Sequence, residues 1–563
     1  MHLIQKYKYL LLLGVIVLIG FLLRWIQVSV LPPSLNWDEI SHGYNAYSIL
    51  THGVDEWGNY YPSIFRAYGD YKLPVYIYTT VVSIALFGLN VFAVRLPSVV
   101  GGAFTILGTY LLVNELLRSK KHSLFAAAII AISPWNIFLS RAALEANLAL
   151  TLIVFGFYFV LLARTKPSYL IAGLLCLGLS IWTYNSARIF VPPLIMAAFI
   201  LYCREYLLIV NNYRKIALLA SLIGAVLFTP MVYQLLQPAG QARYENLVII
   251  DEGAIAYLEE QRNTSSLSPL FTKLVYNKPV YFVSTFAKQY SSHFLPDFLF
   301  LSGGDNYQFS VPNQGLFYFI DTPLFYLGIG LSLLWVRKKK EYVFICLWAL
   351  LAPIAASITR EAPHVLRAEI LNPIPAVFIS VAGIWLYERV KVKRQVVVCF
   401  YTVIVLISLG SWLKSYYAYR TNYSWAWQYG YKEMVAEVKA QYSQYKKIVI
   451  TKKYGEAHEF VLFYWPWDSM AYQSDPNLIR FYQSNWYWID RFDKFYFVND
   501  WQIPRRQEAA WILESGDEFV PDNDTLLVTS PGNYPYGWEK ISTIYFLDGT
   551  PAFELLTIHD EES

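Results

Sequence analysis

The chain carries a succession of apolar blocks of about 16–22 residues, near the length an α-helix needs to cross a hydrocarbon core of roughly 30 Å. Such blocks leave few folds open. In lipid every backbone N–H and C=O has to be satisfied within the protein, and a helix does this by itself. Only 15% of the 563 residues are charged, while 56% are apolar and 18% aromatic. A soluble protein carries about a quarter charged residues, and the deficit here is concentrated in the blocks. The sequence therefore reads as an α-helical polytopic membrane protein.

The first block runs from about Tyr9 to Val30, behind Lys6 and Lys8. It is too long for a signal peptide, and Leu31-Pro32-Pro33 follows where a small-residue cleavage site would stand. We read it as an uncleaved helix with its N-terminus in the cytoplasm. Further spans are expected at about 98–117, 123–139, 147–163, 168–184, 190–208, 216–236, 316–336, 341–358, 372–388 and 395–415. The dense basic clusters then all fall on one side: Arg118-Ser119-Lys120-Lys121, Arg164-Thr165-Lys166, Arg204 with Arg214-Lys215, Arg337-Lys338-Lys339-Lys340 and Lys391-Val392-Lys393-Arg394. This is the positive-inside pattern. It gives about eleven spans with the N-terminus inside and the C-terminus outside. The net charge of +4 adds little, and no nucleic-acid partner is expected.

Residues 73–92 are apolar enough to be counted as a span, but counting them would break the alternation from Arg118 onward. They read instead as a Tyr-rich helix lying along the outer face. The outer face then holds a first loop (31–97), a long loop (237–315) and an extracytoplasmic soluble region (416–563), with residues 1–415 forming the membrane domain. In the tail, Lys446–Thr451 and Thr525–Thr529 read as strands and 430–444 as an amphipathic helix, so a small α/β domain is expected. The four cysteines fall in or beside spans, and none supports a disulfide framework outside.

The chemistry gathers at the outer face. Asp38-Glu39 stands just beyond the first span, in a loop that continues through Tyr44, Tyr47, Asp55-Glu56-Trp57-Gly58-Asn59, Arg66 and Gly69-Asp70-Tyr71-Lys72-Leu73-Pro74. An isolated acidic pair there could simply mark the water boundary and cap a helix; the polar and aromatic company suits binding of sugars or head groups. Ser140-Arg141-Ala142-Ala143-Leu144-Glu145 puts a second acid at a short outer turn, where Arg141 and Glu145 are spaced for a helical ion pair or for function. Arg188, Arg360, His364 and Arg367 add positive or titratable groups on the same side. Carboxylates that move a proton, with cations that receive a phosphate leaving group, form one coherent set.

Together these segments resemble the GT-C superfamily of polyprenyl-phosphate-sugar-dependent glycosyltransferases, in the branch of protein O-mannosyltransferases and aminoarabinose lipid A transferases. The resemblance covers about 1–415. It rests on Trp37-Asp38-Glu39 after the first span, Asp70-Tyr71-Lys72-Leu73-Pro74, Val94-Arg95-Leu96-Pro97-Ser98, Ser133-Pro134-Trp135 with the Arg141–Glu145 turn, and Arg188-Ile189-Phe190-Val191-Pro192. It implies a carboxylate base at Asp38, with Glu39 and Glu145 as further catalytic acids; Glu145 stands where the family often has Asp. It also implies Lys72, Arg188 and Arg367 on the donor phosphate. Arg141, Tyr44, Tyr184 and His364 are the remaining substrate-binding candidates.

The expected reaction is a single inverting displacement. A hydroxyl of a protein, lipid or glycan acceptor attacks the sugar of a polyprenyl-phosphate donor held in the bilayer. No cofactor is required and no His/Cys cluster has metal spacing, although a divalent ion held by Asp38, Glu39 or Glu145 is left open. The expected location is a bacterial plasma membrane with the active site outside. A lipid-linked sugar transporter or flippase is the alternative; it predicts charges deep within spans, whereas here they gather at the outer face.

Overall fold

The computed structural model describes residues 2–238, 240–241, 247–390, 393–506 and 510–558. Of the residues used above, Lys391, Val392 and the side chain of Lys6 lie outside these, as do parts of the 237–315 loop and of the tail. Eight helices among the described residues are long and apolar enough to cross a membrane: Tyr7–Trp25, Val91–Leu117, Glu145–Ala163, Arg214–Leu235, Phe319–Val336, Lys340–Ser357, Glu369–Arg389 and Arg394–Asn422. Asn185–Leu201 and Cys203–Asn212 pass the same test as a pair bent by 85°. Tyr169–Ile181 is apolar but shorter.

The chain divides into two compact units. One comprises Met1–Ile26, Ser98–Ser140 and Leu144–Lys414; the other comprises Gln27–Pro97, Arg141–Ala143 and Ser415–Ser563.

Within the first unit, the apolar segment expected at 123–139 is broken into helices Lys120–Ile132 and Pro134–Leu139. Pro134 has no N–H for the carbonyl four residues back, Ile130. Arg24 of the first span takes up the deficit. Its guanidinium, wholly buried, donates to Ile130 O (3.1 Å), Ala131 O (3.0 Å), Gly20 O (2.6 Å) and Asn136 Oδ1. A buried charge in the last turn of the first span is thus spent on backbone carbonyls, one of which a proline leaves open. Gly102 makes room for it: a Cβ there would lie 2.4 Å from Ser140 Cβ and 3.0 Å from Arg24 Nε.

Within the second unit, helix Pro74–Phe87 packs on helix Trp37–His52 through Ala46, Ile49, Ile77 and Ile84, with Phe65 and Ala93. Its 14 residues measure about 21 Å, too short for a roughly 30 Å core, and Val82, Leu86 and Phe87 remain exposed at its far side. The next helix begins at Val91, earlier than expected, and runs through Pro97. Pro97 frees the Ala93 carbonyl, and Ser83 Oγ donates to it at 2.6 Å. A hydropathy pattern does not contain that bond.

The tail forms a seven-stranded mixed sheet. We label its strands β1 (Lys447–Thr451), β2 (Ile479–Gln483), β3 (Trp486–Phe492), β4 (Phe495–Val498), β5 (Thr525–Thr529), β6 (Trp538–Tyr545) and β7 (Pro551–Ile558). The order is β6-β7-β5-β1-β4-β3-β2, with β1 parallel to both β4 and β5 and all other pairs antiparallel. The parallel centre is apolar on both faces, as such strands are. Val449, Tyr496, Val498, Leu527 and Leu556 share one core with Trp511 and Trp538, and Ile448, Ile450 and Phe497 are buried too. Helix Tyr431–Gln441 falls where the amphipathic pattern places it and packs on helix Ala457–Tyr464.

Candidate functional site

In the second unit the acidic pair is built from helix Trp37–His52 outward. Asn36 caps that helix: its side chain accepts from Glu39 N (2.9 Å), and Glu39 Oε2 accepts from Asn36 N (3.1 Å). Glu39 is wholly buried, and each of its oxygens accepts twice. Oε1 takes Arg95 Nε (2.8 Å) and Ala143 N (2.7 Å); Oε2 takes Asn36 N and Arg95 Nη2 (3.0 Å). A carboxylate has about four such acceptor sites, and all are filled.

Arg95 also donates to the carbonyls of Val28 (2.8 Å), Pro32 (2.9 Å) and Ser34. Arg141 donates to Leu31 O through Nε (3.2 Å) and Nη2 (3.0 Å), with its guanidinium 5.7 Å from the Tyr416 ring centroid. The segment 28–34 contains Pro32-Pro33, so it lacks the donors for regular structure, and two buried arginines satisfy its carbonyls instead. Tyr44 is also buried, its hydroxyl donating to Trp467 O at 3.2 Å.

On this rigid base Asp38 faces outward. Its side chain is 37% exposed and forms an ion pair with Lys72, which is 7% exposed. Lys72 arrives on the two-stranded ribbon Phe65–Arg66/Tyr71–Lys72, and its ammonium lies 5.8 Å from the Tyr68 ring centroid. The Tyr68 hydroxyl stands 2.7 Å from both Trp37 O and Glu459 Oε2. Burial, with the charge of Glu459, raises the Tyr68 phenol well above its ordinary range, so it stays protonated as a donor.

In the first unit a cavity of about 610 Å³ brings together three more expected residues, Tyr184, Arg188 and Arg367. Tyr184 precedes helix Asn185–Leu201, and Arg188 lies in its first turn, donating to Gln234 Oε1 at 2.8 Å. Arg367 donates to Thr359 Oγ1 (2.8 Å) and Glu361 Oε2 (2.9 Å), and its carbonyl accepts from Ser186 Oγ (2.9 Å). Much of the remaining wall is apolar, with Ile189, Leu235 and Ile358. Two guanidiniums in a largely apolar cavity suit an anionic head on a greasy tail.

His364 lines a separate cavity of about 390 Å³ with Asp305, Arg360 and Glu361. Its backbone N–H faces Nε2 of His293 at 3.4 Å, and burial holds His293 down at about 4, neutral at pH 7. Glu145 is the first residue of helix Glu145–Ala163 and half-buried, a favourable place for a carboxylate beside the helix dipole. Arg141 lies in a turn before it, so the two are not spaced along one helix as an i, i+4 pair.

Two groups are not marked by any local motif. Arg95 is the counter-ion of Glu39, and the sequence signal for it is an arginine inside an apolar run, which needs a buried acceptor. Glu56, His458 and Glu459 converge from distant parts of the chain, which no local spacing reveals.

A family model described as dolichyl-phosphate-mannose-protein mannosyltransferase matches residues 72–233. No curated protein sequence matches the chain. Among solved structures, ArnT from Cupriavidus metallidurans bound to undecaprenyl phosphate is similar over 99% of this chain and 99% of its own, with TM-score 0.52 and 12% identity. The same protein in the apo state gives TM-score 0.51 and 12% identity over 98% of each chain. The Archaeoglobus fulgidus oligosaccharyltransferase tethered with an acceptor peptide gives TM-score 0.50 and 16% identity over 82% of this chain and 64% of that one. This chain thus spans less than two thirds of the length of the archaeal enzyme. At such identities the likeness is one of fold.

Proposed function

We propose that this chain, which has the GT-C fold in its mannosyltransferase- and ArnT-like form, is a membrane glycosyltransferase that moves a sugar from a polyprenyl-phosphate donor to an acceptor hydroxyl. The solved relatives support the donor class, one being bound to undecaprenyl phosphate. The observation that carries the reading is the division of labour in the acidic pair. Glu39 is saturated by four donors, while Asp38 is half-exposed beside a buried lysine.

In this reading Asp38 is the base. The acceptor oxygen bonds to the anomeric carbon as the bond from that carbon to the phosphate oxygen breaks; the hydroxyl proton passes to Asp38, and polyprenyl phosphate leaves with the electron pair. A single displacement inverts the anomeric centre. Lys72, Arg188 and Arg367 are the cations for the phosphate, whose negative charge grows as the bond breaks, so their stabilisation is largest in the transition state. Glu39 is a positioning residue that fixes the turn carrying Asp38, and Glu145 is the second acid of the site. Tyr44 and Arg141 support the same loop from within, and Tyr184 and His364 face cavities open to a substrate. The enzyme acts at the outer face of a bacterial plasma membrane on a protein, lipid or glycan acceptor, without a cofactor in the displacement.

The test is to incubate purified protein with labelled polyprenyl-phosphate hexoses and a mixed acceptor extract. Wild type should transfer sugar and release polyprenyl phosphate, and Asp38→Asn should lose at least about 100-fold, the lower range for a removed general base. Equal transfer by both proteins would move the base to Glu145. No release by either, across several sugars and acceptors, would favour a lipid-linked sugar transporter.

A further inference from the structure

We infer that Glu56, His458 and Glu459 form a site for one divalent transition-metal cation of the Zn²⁺ class, with Glu456 and Tyr68 as its outer partners. The three side chains are 2%, 5% and 2% exposed, and one ligand atom from each can be chosen so that all lie within 4.8 Å of one another. The site uses neither Asp38 nor Lys72 as a ligand, and it does not depend on the transfer reaction.

The backbone around the site is rigidly held. Asp55 Oδ1 accepts from Trp57 N (2.9 Å) and Asn59 N (2.8 Å), closing a tight turn that presents Glu56. Asn45 Oδ1 accepts from Glu56 N (3.0 Å), and Arg480 Nη2 donates to Glu56 O (2.9 Å). His458 and Glu459 stand in the first turn of helix Ala457–Tyr464. A cavity of about 10 Å³ lies among Glu56, Tyr68, His458 and Glu459, close to the volume of one water-sized sphere.

The distances fit ligation better than direct pairing. His458 Nε2 is 3.5 Å from Glu56 Oε1, and its Nδ1 is 3.6 Å from Glu456 Oε2, both beyond good hydrogen-bond length. Two ligand atoms bound to one zinc ion at a tetrahedral angle stand about 3.4 Å apart. The second ring nitrogen faces a carboxylate, which is how ligating histidines are usually oriented. That carboxylate is itself held, with Trp486 Nε1 donating to Glu456 Oε1 at 2.7 Å, and Tyr68 Oη lies 2.7 Å from Glu459 Oε2.

Charge balance points the same way. Glu56, Glu456 and Glu459 are all buried. Arg480 is the cation beside Glu56, while Lys452 near Glu456 is already held by Asp490 (2.8 Å) and Glu514 (3.1 Å). Buried negative charge in this excess is costly, and a dication offsets it. The bound ion would tie the 55–59 turn to helix Ala457–Tyr464, and the Tyr68 hydroxyl would connect it to the Trp37 carbonyl, one residue before Asp38.

The experiment uses the full chain in detergent, stripped with EDTA and titrated with ZnCl₂, with MgCl₂ as the control. Retained metal is measured by elemental analysis after desalting, and stability by thermal melting. Wild type should keep one equivalent of zinc and melt higher with it, with little response to magnesium. His458→Gln and Glu459→Gln should lose the retained zinc, and Glu456→Gln should weaken it about 10- to 100-fold at unchanged stoichiometry. Melting of each variant in EDTA shows that it is folded. Wild type that melts cooperatively but retains no zinc, or equal retention by His458→Gln, would overturn the site.

Discussion

Asp38 and Glu39 are adjacent, yet they face different physical problems. Glu39 is wholly buried against Arg95, so each charge is tolerable only because the other is present. Glu39→Gln leaves the Arg95 guanidinium buried without its counter-charge and should cost about 3–5 kcal/mol. The double replacement Glu39→Gln/Arg95→Met should recover part of that loss, because the orphaned charge is gone. Asp38→Asn alters a half-exposed pair and should change the melting temperature little. Thermal melting of the four proteins in one detergent checks this. If Glu39→Gln melts like wild type, the ion pair is not what holds the turn. The pairing also marks how far sequence reading reached. Trp37-Asp38-Glu39 and Lys72 were legible as a motif, but which carboxylate is spent on structure depends on Arg95 and Ala143 arriving from elsewhere in the chain.

At the scale of elements, hydropathy located the helices but not their ends. Residues 123–139 read as one span, and another was expected from about residue 98, just after Pro97, although a proline inside a helix removes one of its hydrogen bonds. The structure keeps the helix through Pro97 by giving the Ala93 carbonyl to Ser83, and it breaks the earlier segment at Pro134 with Arg24 on the freed carbonyls. Both outcomes depend on a side chain from another helix, so neither is present in a local pattern. Strands β2, β3, β4, β6 and β7 were missed for a different reason: β2–β3 and β6–β7 are hairpins whose burial does not alternate strictly along the strand, and β4 is buried throughout, so no period-two pattern marks them. The Ser83 bond makes a quantitative prediction. Ser83→Ala should cost about 1 kcal/mol by leaving a carbonyl unpaired. In a Pro97→Ala background the helix supplies its own N–H to Ala93, and the same substitution should then cost much less. A double-mutant cycle on melting temperature measures the coupling; equal costs in both backgrounds would mean that Ser83 does not serve Pro97.

At the scale of the molecule, the decisive quantity is which loops face the cytoplasm. Helices Arg214–Leu235 and Arg394–Asn422 are only 11% buried over their most apolar windows, so the surface they present is suited to lipid rather than water. That exposure identifies a membrane protein but does not orient it. The distribution of lysine and arginine does, because basic short loops are retained in the cytoplasm. The cluster Arg337-Lys338-Lys339-Lys340 joins helices Phe319–Val336 and Lys340–Ser357 and should lie inside. The tail begins after Arg394–Asn422 and should lie outside, where a lipid-linked sugar would be presented. Cys176, Cys203, Cys346 and Cys399 are free thiols and can be replaced to give a background without cysteine. In that background Lys338→Cys and Tyr536→Cys each expose one thiol, since both positions are exposed. A membrane-impermeant maleimide applied to intact cells should label Tyr536→Cys at once and Lys338→Cys only after permeabilisation. The reverse pattern would place the sheet domain in the cytoplasm and remove the outer-face donor from the proposed reaction. Labelling of both in intact cells would mean that the helices between them, Lys340–Ser357, Glu369–Arg389 and Arg394–Asn422, do not cross an odd number of times as the basic loops require.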